Sequence, residues 1–179
     1  MLRLTLLCSL SFLAPFAAAA DQTSYTDIPP QRASATLQNG DQGPAGSVAL
    51  VQTPSGVLLT ATLTDLPPGA HGFHIHETGS CEPDFSAAGG HFAPRDHAHG
   101  LEVIEGEHAG DMPNIHVGAD GKLKIEILNP RISLASGEEG YLFDADGAAI
   151  VIHAGADDYT SQPSGDAGDR IACGVIAKG

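Results

Sequence analysis

The sequence predicts an all-β fold, an antiparallel sandwich or flattened barrel whose strands are interrupted by two long loops. Short segments rich in Val, Leu, Ile, Thr and Ala recur between turn residues, which is typical of antiparallel strands. After residue 20, no stretch long enough for a typical helix holds a helical apolar period. Strands at fairly regular spacing with turn signals favour a sandwich or a barrel.

Strands are expected, in order, at residues 33–38, 46–53, 57–63, 70–76, 122–128, 148–153 and 171–177. The pairs of strands at the start of the chain are separated by Asn-Gly at 39–40 and Pro-Ser-Gly at 54–56, both tight-turn signals. The two irregular stretches are 77–121 and 154–169, rich in Gly, Asp, Pro and His. Loops of this length are uncommon in compact domains and tend to be functional.

The first 20 residues have the pattern of a signal peptide. Arg3 supplies a positive start, residues 4–16 are apolar, and Ala-Ala-Ala at 18–20 predicts cleavage after Ala20. A membrane anchor is the alternative, but this apolar stretch is too short to span a bilayer. We therefore expect an extended leader at 21–31, one domain at 32–179, and no membrane partner after cleavage.

The chain is acidic, with a formal net charge of −14, and loss of Arg3 with the signal peptide makes it −15. Phosphate binding needs a basic face, so this balance argues against nucleic acid as a partner.

Cleavage of the signal peptide also removes Cys8 and leaves Cys81 and Cys173. Two cysteines in an exported chain most simply form one disulfide, and two buried free thiols are the alternative.

The histidines are crowded in a way that indicates metal binding. All but one of the nine lie between His71 and His116, and the last is His153. His74 and His76 are two apart on a predicted strand, so both side chains point to the same side. His153 closes another strand, where a histidine alone is more often structural. With His91 these would make four imidazoles, a set that suits copper.

A second cluster follows within the first long loop. Its members are His91, His99, His108 and Asp111, and three imidazoles with one carboxylate fit tetrahedral zinc. A loop without regular structure would depend on the ion for its order. The alternative is a solvated polar loop. Together the two clusters predict a site for two ions.

Four motifs resemble the copper,zinc superoxide dismutases, specifically their exported bacterial branch. They are His-Gly-Phe-His-Ile-His-Glu at 71–77, Gly-His-Phe-Ala-Pro at 90–94, His-Ala-Gly-Asp-Met-Pro-Asn at 108–114 and Gly-Asp-Arg-Ile-Ala-Cys-Gly-Val-Ile at 168–176. The likeness runs from about residue 31 to the end of the chain, in the order of the family. It implies a Greek-key arrangement of about eight strands and periplasmic localisation.

The resemblance also implies a role for each matching residue. Copper would be held by His74, His76, His91 and His153, and zinc by His91, His99, His108 and Asp111. His91 would bridge the two ions. Asp157 would tie a copper histidine to a zinc histidine, and His71 would brace the site through backbone contacts. Cys81 and Cys173 would form the intrasubunit disulfide, and Arg170 would attract the anionic substrate. We expect Asp158 to be solvated, and His97 and His116 to be exposed loop residues.

The implied activity converts two superoxide anions and two protons to oxygen and hydrogen peroxide. Copper would be reduced and reoxidised in turn, and the zinc-supported His91 would carry a proton. The alternative is a non-enzymatic periplasmic copper- and zinc-binding protein on the same fold. Such a relative would be expected to lack a copper ligand or the arginine, and this chain has all of them. A zinc hydrolase would need an open zinc position, and four ligands on zinc leave none. Monomer and homodimer both stay open, because the branch contains both.

Overall fold

Nine β-strands and a short 3-10 helix, Phe85–Ala88, form the regular structure of the computed structural model, which describes residues 31–179. The predicted signal peptide and residues 21–30 of the leader lie outside the described residues. The strands are β1 (Arg32–Asn39), β2 (Pro44–Thr53), β3 (Gly56–Leu63), β4 (Gly69–His71), β5 (Phe73–His76), β6 (Ile115–Val117), β7 (Leu123–Asn129), β8 (Ala149–His153) and β9 (Arg170–Lys178).

Seven strands form one curled antiparallel sheet in the order β5-β8-β9-β1-β2-β3-β7, and β4 pairs with β6. Two connections carry the chain between distant positions in this order, from β3 to β5 and from β7 to β8, as in a Greek key. Alternate residues of β1 to β3 are buried because one face of each strand covers the apolar core. The prediction of an all-β antiparallel fold is confirmed.

Strands β5 and β8 are buried on both faces, and this double burial positions the site. On one face, Phe73 and Ile75 are paired with Ile152 and Ile150 and belong to the main apolar core. Because side chains alternate along a strand, His74 lies on the opposite face, away from that core. The histidines of β5 are therefore carried by a strand whose opposite face is packed in the core.

The predicted strand at 70–76 is wrong in one respect, since it is two strands that separate at Gly72. The Gly72 N–H donates to Gly155 O at 2.8 Å, and its carbonyl accepts from His153 N at 2.9 Å. Before this point the chain pairs with β6, and after it with β8. Strand β6 was not predicted, because its three residues are too few to show an alternating pattern.

Candidate metal centre

Four histidines from three parts of the chain meet beside β5. One ring nitrogen from each lies within 4.8 Å of one from every other member, and the set is His74, His76, His91 and His153. The first two come from β5, and His153 ends β8 beside them. His91 is held against β5 by a β-bridge with His76.

A second group shares His91 and lies in the loop that follows. One ligand atom from each of its members lies within 4.8 Å of all the others, and they are His91, His99, His108 and Asp111. Asp111 Oδ1 is 2.7 Å from His91 Nδ1, and Asp111 Oδ2 is 3.0 Å from His99 Nδ1. The same carboxylate accepts backbone hydrogen bonds from Gly100 and His108, at 3.0 and 3.1 Å. It thus organises the loop as well as offering an oxygen ligand.

Six buried ring nitrogens within residues 31–179 form no hydrogen bond of good geometry, although two of them, His99 Nδ1 and His108 Nδ1, lie 3.0 and 3.5 Å from carboxylate oxygens of Asp111. They are His74 Nδ1, His76 Nε2, His91 Nε2, His99 Nδ1, His108 Nδ1 and His153 Nε2. A buried polar atom without a partner is costly, and a group of them at one place requires an explanation. All six belong to the two groups, so the donor set fits a pair of bound cations.

The opposite nitrogens of five of these rings, all but that of His108, do have partners, which fix the ring orientations. His76 Nδ1 donates to Gly89 O at 3.0 Å, and His153 Nδ1 donates to Gly168 O at 3.1 Å. Such contacts decide which nitrogen remains available to an ion. His71 braces the same region, with its two ring nitrogens each 2.8 Å from a carbonyl oxygen, those of His153 and Pro67.

The Asp157 carboxylate joins the two groups. Its Oδ2 is 2.8 Å from His74 Nε2, and its Oδ1 is 3.1 Å from His99 Nε2. Burial would raise the pKa of Asp157, but the hydrogen bonds from these two histidines hold that pKa below its ordinary value. An ionised Asp157 therefore directs the Nδ1 atoms of both rings towards the two ligand groups.

Most of the histidines of the first group are neutral at physiological pH without any ion. Burial lowers the pKa of His74 and of His153 to about 4 and that of His76 to about 2. Burial also lowers the pKa of His99, but the nearby carboxylates of Asp111 and Asp157 outweigh it and raise the pKa to about 9. Neutral imidazole is the form that binds a metal, so the first group is ready for an ion.

Arg170 lies next to the first group, at the start of β9. Its Nη1 donates to Phe85 O and its Nη2 to Gly89 O, both at 2.6 Å. Gly89 O also accepts from His76, so one carbonyl oxygen links the guanidinium to a histidine of the site. The disulfide between Cys81 and Cys173 ties the segment carrying these carbonyls to β9. Arg170 also lines an open cavity of about 620 Å³, which gives it access to solvent.

The three remaining predictions on polar residues have mixed outcomes. His116 is exposed but lies on β6 rather than in a loop, and His97 is half-buried with its Nδ1 3.2 Å from Glu107 O. Neither belongs to a ligand group among the described residues. Asp158 is exposed, yet its carboxylate accepts from the backbone N–H groups of Thr160 and Ser161 and so shapes the turn that follows.

Sequence reasoning missed the role of two carboxamide side chains. Asn114 Nδ2 donates to Asp157 O, and Asp157 N donates to Asn114 Oδ1, both at 2.8 Å. Gln162 forms a similar pair of hydrogen bonds with the backbone of His99. Asn114 lies within a motif quoted above, but no spacing rule indicates Gln162, because its partner is 63 residues away.

The fold and the donor set together define a class, the all-β metalloproteins whose two metal sites share one histidine. Residues 44–176 match the copper/zinc superoxide dismutase family. The chain is 45% identical over 172 residues to superoxide dismutase [Cu-Zn] 1 of Aquifex aeolicus, covering 95% of each chain. It is 46% identical over 147 residues to superoxide dismutase [Cu-Zn] of Caulobacter vibrioides, covering 80% of this chain and 84% of the relative.

A solved structure is also similar. The SOD-like protein from Bacillus subtilis superposes with a TM-score of 0.76 at 41% identity, over 79% of this chain and 96% of that chain. The chain therefore belongs to the copper/zinc superoxide dismutase family. Within residues 31–179, no helix is long and apolar enough to cross a membrane.

Proposed function

We propose that this chain is a superoxide dismutase, which converts two superoxide anions and two protons to oxygen and hydrogen peroxide. The observation that carries the proposal is the shared His91, which belongs to two adjacent groups of four potential ligands, and each histidine of these groups has a buried nitrogen that forms no hydrogen bond of good geometry. Membership of the family supports it further.

The residues proposed to hold the two ions fall into two sets with one member in common. Copper is assigned to His74, His76, His91 and His153, and zinc to His91, His99, His108 and Asp111. When bound, copper supplies one-electron redox chemistry and zinc supplies a fixed positive charge. Asp157 and His71 are assigned to orienting these ligands.

His91 is proposed to move the proton that the reaction consumes. Its Nδ1 faces the zinc group and its Nε2 faces the copper group, where it has no other partner. A nitrogen in that position can hold a proton at Nε2 and donate it to the reduced oxygen species. Asp111 keeps the ring in place during this transfer through its contact with Nδ1.

Arg170 is proposed to bind and orient superoxide. A small anion needs a fixed cation beside the reacting position, and the guanidinium is held there by two carbonyl oxygens. Burial lowers the pKa of Arg170, but an arginine stays charged at any physiological pH. The side chain therefore offers a permanent positive charge in an otherwise acidic protein.

Metal analysis combined with a superoxide-consumption assay on residues 21–179 tests the proposal. The expected result is one copper and one zinc per chain with rapid superoxide decay. Both metals without decay would instead support a non-enzymatic metal-binding protein. His91→Ala should impair the binding of both metals and abolish activity, and a fully active variant that retains both would refute the assignment.

Export is a further part of the proposal. We assign residues 1–20 to a signal peptide cleaved after Ala20, residues 21–31 to a leader and residues 32–179 to the catalytic domain in the periplasm. The disulfide between Cys81 and Cys173 supports an oxidising compartment. Amino-terminal sequencing of protein from a periplasmic extract tests the cleavage site. Light scattering on the same material distinguishes a monomer from a homodimer.

A further inference from the structure

The loop that carries His99 has little regular structure to hold it. Between His91 and His108 the described chain forms no strand and no helix. His99 nevertheless is completely buried, and burial of its peptide N–H and C=O requires hydrogen-bond partners for both.

Both peptide groups of His99 are bonded by one side chain from the other long loop. The His99 N–H donates to Gln162 Oε1 at 2.9 Å, and Gln162 Nε2 donates to His99 O at 2.7 Å. Within residues 31–179 no other group bonds to either atom. A carboxamide presents one acceptor and one donor side by side, so it pairs with a residue as a neighbouring strand would.

The position of Gln162 is itself fixed. Its Nε2 also donates to Thr160 O at 3.1 Å, within a turn closed by the hydrogen bond from Gly165 N to Ser161 O at 2.7 Å. Asp158 stabilises the same turn by accepting from the backbone of Thr160 and Ser161. The carboxamide is therefore an anchored support for the loop of His99 and not a freely moving surface group.

We propose that Gln162 is a positioning residue that holds the zinc-ligand loop closed at His99 and so slows the release of zinc. This inference rests on the proposed function, because it takes His99 as a zinc ligand. The side chain of Gln162 would contact neither ion nor substrate. Gln162 acts through the backbone of His99. The two long loops are thereby coupled at the zinc side of the centre, independently of the Asp157 carboxylate.

The test is the rate at which zinc leaves the fully loaded protein into an excess of a chromophoric chelator. Gln162→Leu removes both hydrogen bonds, and Gln162→Glu keeps the acceptor but sets a carboxylate against His99 O. Each should release zinc roughly 10-fold faster or more, the effect expected when a supporting partner of a ligand is lost. Gln162→Asn keeps the polar group but is one methylene too short, so it should shift the rate in the same direction.

Gln38→Leu and Gln38→Glu are the matched controls, because Gln38 is an exposed glutamine on β1. They should release zinc within about twofold of the wild-type rate, as expected for surface substitutions. Melting of the metal-free proteins separates this role from general destabilisation. Gln162→Leu leaves two buried peptide groups unpaired and should melt below Gln38→Leu, but its faster zinc release should exceed what the lower melting temperature accounts for.

The outcomes distinguish the inference from the proposed function. If the wild-type protein binds zinc but all Gln162 variants release it at the rate of the controls, the positioning role is refuted and the proposed function stands. Faster release explained entirely by a lower melting temperature of the metal-free protein would also refute it. A wild-type protein that binds no zinc would overturn both.

Discussion

At the scale of single residues, the site depends on which ring nitrogen each histidine presents. Asp157 is almost fully buried and contacts the Nε2 atoms of His74 and His99, one from each ligand group. An ionised carboxylate offers an acceptor to both rings at once. It therefore fixes the orientation of two proposed ligands through one side chain.

Replacing Asp157 by Asn should weaken metal binding on both sides of the centre. An amide has one carbonyl oxygen, so one histidine would face an NH₂ donor instead of an acceptor. We expect zinc affinity to fall roughly 10- to 100-fold, with a smaller loss for copper. Competition with chelators of known affinity measures both. Asp166→Asn, an exposed change in the same loop at a residue with φ of 50°, is the control. Equal zinc affinity in the Asp157 and Asp166 variants would contradict this role.

Arg170 should matter for the rate and not for metal content. Its planar fork donates to two carbonyl oxygens, a geometry that a lysine ammonium cannot reproduce. Arg170→Gln should slow superoxide decay roughly 100-fold per bound copper, and Arg170→Lys should lie between it and the wild type. Stopped-flow decay with parallel metal analysis gives both quantities. The control is Arg95→Gln, an exposed arginine paired with Glu139. Decay by Arg170→Gln at the wild-type rate would exclude the anion-binding role.

At the scale of elements, the strands supply support from the core and the loops supply most of the proposed ligands. Strand β5 packs Phe73 and Ile75 into the core and presents its histidines on the other side. The loop 154–169 then closes over the site, and Gly165 lies against the Asp157 carboxylate. A side chain at Gly165 would place its Cβ 1.9 Å from Asp157 Oδ1 and 2.7 Å from His99 Nε2.

Gly165→Ala should therefore displace Asp157 and impair zinc binding. Gly168→Ala is a matched control, because both glycines have positive φ, 69° and 76°, but only Ala154 Cβ at 4.0 Å approaches a Cβ at residue 168. Each change costs about 1–2 kcal/mol of backbone strain. Zinc affinity, measured by isothermal titration, should fall only for Gly165→Ala. Equal losses in the two variants would assign the effect to strain alone.

The sequence predicts the elements that follow local rules and not those that depend on partners. Segments rich in Val, Leu, Thr and Ala between turn residues indicate β1 to β3 correctly. The break at Gly72 is not visible, because it arises when the chain changes its pairing partner from β6 to β8. The residues that the crowded histidines and the family motifs indicate do lie together in two groups, and their binding of copper and zinc stays a prediction. The role of Gln162 is not predicted, since its hydrogen bonds to His99 depend on how two irregular loops meet in space.

At the scale of the whole molecule, the ligand groups join segments that are far apart in the chain. Strands β5 and β8 and both long loops contribute to one centre, and the disulfide between Cys81 and Cys173 connects the first loop to β9. Binding of ions to such a centre adds stability to the fold, because the unfolded chain does not hold the ligands together. In the metal-free protein, the same histidines make stability depend on pH.

The melting temperature of the metal-free protein should pass through a maximum at a pH slightly below neutral. Burial lowers the pKa of His74 and His153 from 6.5 to about 4, and that of His76 to about 2. The unfolded chain then binds more protons than the folded one below pH 6.5, so stability falls as the pH drops from there towards 4. His99 has the opposite effect, because its pKa is raised to about 9 and its contribution is lost as the pH rises from 6.5 to 9.

Calorimetry between pH 4 and pH 9 checks this profile, with zinc-loaded protein as the comparison. The acid side should be the steeper one, since four histidines with lowered pKa values, His74, His76, His91 and His153, contribute there and His99 contributes on the alkaline side. Zinc requires deprotonated ligand atoms, so loading should raise the melting temperature most at neutral and alkaline pH and lose this effect in acid. A metal-free protein whose melting temperature is flat from pH 4 to pH 6.5 would show that these imidazoles are not buried in the neutral form.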